Sequence, residues 1–128
     1  MERFLARFPT DFIMLRHRGL AAGVYQRLVH RLGWVFVFES DQVFVLASPQ
    51  QPALIAAEGY RHILPWRYLP VTPTNAPAVL READRALQAC PAGARFAWAY
   101  RAEALRLLGR HEEAETARRK VPQQLWIE

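Results

Sequence analysis

Residues 94–121, ARFAWAYRAEALRLLGRHEEAETARRKV, decide how the rest of the chain is arranged. At about 100° per residue, Phe96, Ala97, Trp98, Tyr100, Ala104, Leu105, Leu107 and Leu108 share one broad arc, with Arg95, Glu103 and Arg106 opposite. That is a helix with one wet side. Gly109 predicts its end, because glycine reaches a left-handed conformation without a Cβ clash. A second helix opens on Glu112 and Glu113 and closes on Arg118, Arg119 and Lys120, so the charges at both ends oppose the helix macrodipole. Pro122 blocks its extension. One cation, Arg101, interrupts the apolar arc between Trp98, Leu105 and Leu108. Burial there without a partner is costly. Arg101 must therefore meet an internal carboxylate, snorkel to water, or offer its planar fork to a carboxylate of a bound peptide.

The preceding segment supplies a third helix. Val79, Leu80, Ala83, Ala86, Leu87 and Cys90 form a single stripe. Thr74 or Asn75 is placed to cap its start near Ala76, and Pro77 is tolerated in the first turn.

The order Ala97, Trp98, Ala102, Ala104, Leu105, Gly109, Glu113 and Ala114, with His111 where tyrosine is usual, resembles a tetratricopeptide repeat. ADRALQACP, residues 83–91, resembles the closing helix of a preceding repeat that ends on the family's proline. The likeness covers about one and a half repeats, and the loop after Pro91 is about a residue longer than usual. The resemblance implies binding of a protein or peptide and no chemistry, along a groove formed by Trp98, Arg101, Leu105 and Leu108. So few repeats rarely stand alone, and the helices are expected to lean on the front half of the chain.

That front half reads as a small strand, helix, strand, strand layer over residues 1–49. Met1 to Phe8 has the spacing of a short helix with Phe4 and Phe8 one turn apart. DFIMLR, Asp11 to Arg16, reads as a buried strand, and Leu20 to Leu32 as an amphipathic helix closed by Gly33. Trp34 to Phe38 and Val43 to Ala47 are β-branched and aromatic runs around a polar turn, which predicts an antiparallel hairpin. With apolar side chains on both faces, the hairpin should be covered on both sides. The fold class expected is α+β: this layer against a tetratricopeptide-like bundle over 76–128, joined by a strap over 50–75.

The strap holds Pro49, Pro52, Pro65, Pro70 and Pro73 at or near its ends and interior, with a helix over Pro52 to Tyr60. It interleaves Tyr60, Trp66 and Tyr68 with Arg61, His62 and Arg67. Stacking faces beside guanidinium groups can hold an anion or a sugar. The same residues can instead plug a seam between two layers. DFIMLR, YQRLVHRLGW and VFVFESDQVFVLA also resemble the soluble extracytoplasmic tail of bacterial membrane glycosyltransferases. That resemblance implies a separated accessory domain binding glycan or lipid-linked phosphate near Tyr60, Arg61, Trp66, Arg67 and Tyr68. The chain has neither the catalytic acidic motif nor the membrane helices of that family.

A chain of 128 residues, 52% hydrophobic, is enough for one core or two small ones. No run reaches the roughly 18 apolar residues of a membrane helix. MERFLARF is too charged for a secretory leader. The reading is thus a soluble chain, cytoplasmic by default and extracytoplasmic if it is a domain of a membrane protein. Its net charge of +5 is spread, with six basic and four acidic residues in 1–49 and eleven and eight in 50–128. No stripe for nucleic acid results. Cys90 stands alone, which excludes an internal disulfide. His17, His30, His62 and His111 lack metal-ligand spacing, and no phosphate loop or nucleophile elbow is present. The expectation is a non-catalytic domain without cofactor or metal, taking a protein or peptide partner. A glycosyltransferase accessory domain and a structural homodimer, joined through a hairpin edge or the open end of the repeat, are the alternatives.

Overall fold

The β-branched runs on either side of the polar turn do become strands. In the computed structural model, which describes residues 10–16, 23–24, 27–40, 43–64, 69–91 and 95–121, Phe12–Arg16 forms β1, Val35–Glu39 β2 and Val43–Ala47 β3. They make one antiparallel sheet in the order β1-β3-β2. Together with the helices that follow, this is an α+β protein. The expected helix at 1–8 lies outside the described residues.

β3 is central and has the deepest burial, with Phe44, Leu46 and Ala47 at 0% exposure. β1 pairs with it in the register Phe12 to Ala47 through Arg16 to Val43, and the Ser48 N–H donates to Asp11 O at 2.9 Å to continue the ladder. The reading of β1 as a buried strand is corrected. Ile13 and Leu15 are half-buried, while Phe12 is 50% and Met14 66% exposed. The reason is its place. Among the described residues β1 has one neighbour, so only the side chains sharing a face with Phe44 and Leu46 gain cover. Coverage on both faces therefore does not extend to β1.

Within the expected 20–32 helix, Arg27–Arg31 is π-helical, with Leu28 fully buried. Gly33 ends it at φ 72°, and the Trp34 N–H donates back to Leu28 O at 3.0 Å. Pro52–Glu58 forms α1 and stops at Gly59. Here glycine is required by space, since a Cβ would lie 2.5 Å from Ile55 O and 3.0 Å from Val35 Cγ1.

The chain divides into two units, 1–38 with 43–59, and 39–42 with 60–128. The division cuts the 50–75 strap. α1 goes with the sheet, and the segment from Tyr60 onward with the helices.

In the second unit, Ala76–Ala89 forms α2, Arg95–Leu107 α3 and His111–Arg119 α4. α3 packs against both α2 and α4, while α2 and α4 have no comparable contact. The seams are built of small residues: Ala83, Ala86, Ala97, Ala104, Ala114 and Ala117 are all buried. The turn between α3 and α4 follows from Gly109 at φ 79°. Its N–H donates to Arg106 O at 3.1 Å, and the Arg110 N–H to Leu105 O at 2.9 Å. This pair of bonds is the Schellman closure, which satisfies two orphan carbonyls of α3. The cap expected at Asn75 is corrected: its side chain makes no bond into α2. Asn75 Oδ1 instead accepts the Thr72 N–H at 2.7 Å and Nδ2 donates to Pro70 O at 3.2 Å, folding the residue back onto its own turn.

Candidate functional site

The cation inside an apolar arc finds an internal partner. Arg101 Nη1 lies 3.3 Å from Asp84 Oδ1 on α2, with the Arg101 side chain 23% exposed. The two form an ion pair without hydrogen-bond alignment. Arg101 is thus held between α2 and α3, and it also lines a cleft between α3 and α4.

That cleft has a volume of about 390 Å³. Trp98 and Arg101 of α3 form one wall, and Glu112, Glu113, Thr116, Ala117 and Lys120 form the other. The Trp98 ring is half-buried, and the Lys120 ammonium stands 4.5 Å from its centroid. Spacing places both groups there. Lys120 follows the last turn of α4, and Trp98 belongs to the first turn of the antiparallel α3. Such a contact is worth about 0.5–1 kcal/mol at an exposed site. At the other end of α4, Glu113 accepts two bonds from Arg110, at 2.8 and 2.6 Å. This bonding, with Arg101 charge nearby, holds the Glu113 carboxyl below the ordinary glutamate range. Arg118 does the same for Glu115 through a pair of 3.0 Å bonds.

Of the four residues expected to line a groove, the structure brings Trp98 and Arg101 to this cleft. Leu105 does not line it: with 0% exposure it sits in the seam with Ala114 and Ala117, against which the half-buried Leu80, Trp98 and Ala102 pack. Leu108 lies beyond the end of α3, 38% exposed and away from the cleft walls. In their place stand α4 residues that sequence reasoning counted only as dipole partners. The signal was present in the i, i+4 spacing of Glu113, Ala117 and the neighbouring Thr116 to Lys120, which puts them on one face.

No protein-family model, curated protein or solved structure matches the chain.

The second patch considered, Tyr60, Arg61, Trp66, Arg67 and Tyr68, is only in part within the described residues. Trp66, Arg67 and Tyr68 lie outside them. Tyr60 is corrected as a surface platform, being 6% exposed with the Arg85 guanidinium already 4.2 Å from its ring centroid. Arg61 is exposed, but its backbone N–H is engaged by Glu82. Glu82 also accepts the His62 N–H, at 3.0 and 3.1 Å to its two oxygens, and meets His62 Nδ1. One carboxylate thus pins the start of this segment. Tyr100 pins it further on: its buried phenol donates to Leu64 O at 3.2 Å and accepts the N–H groups of Leu64 at 3.2 Å and Leu69 at 3.0 Å. Burial raises the Tyr100 pKa, so the phenol remains a donor. These contacts anchor the described residues 60–64 and Leu69 to the helices.

Among the described residues no three His, Cys, Asp or Glu side chains gather as a metal site. None of the described helices is long and apolar enough to cross a membrane.

Proposed function

We propose that the chain is a non-catalytic interaction domain that binds a peptide segment of a protein partner in the cleft between α3 and α4. The reading extends the tetratricopeptide resemblance, with one change in the surface used: Trp98 and Arg101 act with α4 rather than with Leu105 and Leu108. The observation that carries it is the half-buried Trp98 ring in a cleft of about 390 Å³ whose rim is charged. An aromatic floor with a polar rim is the composition of protein-recognition sites. Trp98 packs against the seam of Leu105, Ala114 and Ala117 and leaves the rest of its half-buried ring to the cleft.

The test is selection of short peptides displayed on phage against the wild-type chain, with Trp98→Ala as the counter-selection target. The variant should remain folded, since loss of a half-buried ring costs well under the ~3–5 kcal/mol of a fully buried one. Peptides retained by the wild type and released by Trp98→Ala are the expected result. Identical selections from both proteins would end the proposal.

A further inference from the structure

The charges around the cleft divide into matched and unmatched. Arg101 has Asp84 at 3.3 Å, and Glu113 has the two bonds from Arg110. Glu112 and Lys120 have no ion-pair partner among the described residues. They occupy opposite ends of α4, eight positions apart, which is about 12 Å along a helix axis. Thr116 and Ala117 line the cleft between them, and the Trp98 ring lies at the Lys120 end, with that ammonium 4.5 Å from its centroid. The helix dipole accounts for the sign of each charge at its own end. It does not account for both of them facing the same cleft.

Resting on the peptide-binding reading above, we infer that the cleft selects an extended segment carrying one basic and one acidic side chain four residues apart. Extended chain rises about 3.3 Å per residue, so that spacing spans about 13 Å and matches the separation of Glu112 and Lys120. Residues i, i+2 and i+4 of such a segment share one side. The basic side chain meets Glu112, and the acidic one meets Lys120 beside the Trp98 ring. The segment can run in either direction, because the charges define an order in space and not a chain polarity. Arg101 and Glu113, each beside an opposite charge outside the cleft, shape its walls.

The experiment uses three acetylated, amidated pentapeptides, Lys-Ser-Leu-Ser-Glu, Lys-Ser-Leu-Ser-Lys and Glu-Ser-Leu-Ser-Glu, titrated into the ¹⁵N-labelled chain while the amide shifts of residues 112–120 are followed. The mixed-charge peptide should bind about threefold to fivefold more tightly than either like-charged one, the range of an exposed ion pair. Lys120→Glu should transfer the preference to the doubly basic peptide, and Glu112→Lys to the doubly acidic one. The double exchange should restore the mixed peptide. Both positions are exposed, and because each exchange also reverses a charge that suits the helix dipole, helical circular dichroism of every variant checks that α4 is retained. Equal affinity for all three peptides, with shifts confined to 112–120, would overturn the charge rule and leave peptide binding standing. Absence of shifts with every peptide, alongside identical phage selections from wild type and Trp98→Ala, would overturn both.

Discussion

The sheet unit and the helical unit fill their interiors in opposite ways. In the first, the buried hydrophobic positions are large apart from Ala47: Leu28, Trp34, Phe36, Phe44 and Leu46. In the second, Tyr100, Leu105, Ile63 and Val79 are outnumbered by alanines. A twisted sheet leaves a gap to its covering layer that only long side chains fill. Helices that approach closely leave room for a methyl group and little more. The first unit is therefore sensitive to lost volume, and the second to added volume.

The largest effect that would break this contrast is at the central strand. Phe44→Ala should cost about 3–5 kcal/mol, read as a lower urea midpoint for the sheet unit with unchanged slope. A loss below about 1 kcal/mol would mean that Phe44 is not enclosed as described. The reciprocal change in the helical unit is Ala104→Leu. Overpacking there should cost about 1–3 kcal/mol, whereas Ala89→Leu on the exposed side of α2 should stay within about 0.5 kcal/mol of wild type. Equal effects of the two leucines on thermal midpoint would remove the argument from close packing.

Gly109→Val sharpens the comparison in another way. A Cβ at Gly109 meets nothing within 4 Å, so the cost comes from the left-handed backbone alone. About 1–2 kcal/mol is expected. An unchanged thermal midpoint would mean that the turn can close without a positive φ.

The smallest effect is on pH. Glu113 and Glu115 have carboxyls held low by Arg110 and Arg118. Their contribution is present above the unfolded glutamate pKa of about 4.3 and is lost as pH falls through the lower folded values. Acidification should loosen α4 before the sheet, seen as an earlier loss of helical circular dichroism. High salt should shrink the difference, because these groups are solvent-exposed. Simultaneous loss of both signals on acidification would remove the distinction.

Much of the fold was legible from spacing. The turn at Gly109, the stripe of α2 and the runs that form β2 and β3 are readable from neighbouring residues, because period and glycine torsion are local properties. The candidate site was less so. Trp98 and Arg101 stood out as an exposed-capable ring and a misplaced charge, while Glu112 and Lys120 looked like ordinary helix ends. Leu105 carried the same periodic signal as Trp98, and only the position of α4 separates an enclosed leucine from a half-buried ring that lines the cleft. Tyr60 resembled a stacking platform until Arg85 was found against it.

The sequence by itself determined the turn at Gly109, the apolar stripe of α2, which runs form strands, and that Arg101 needed an answer for its charge. These follow from torsional limits and from the period of apolar residues. Only the tertiary structure decided that the answer is Asp84, that β1 is an edge, and that Glu112 and Lys120 share a cleft. Each of those depends on groups from separate elements meeting in space, and nothing in the order of residues along one element encodes which partner it will meet.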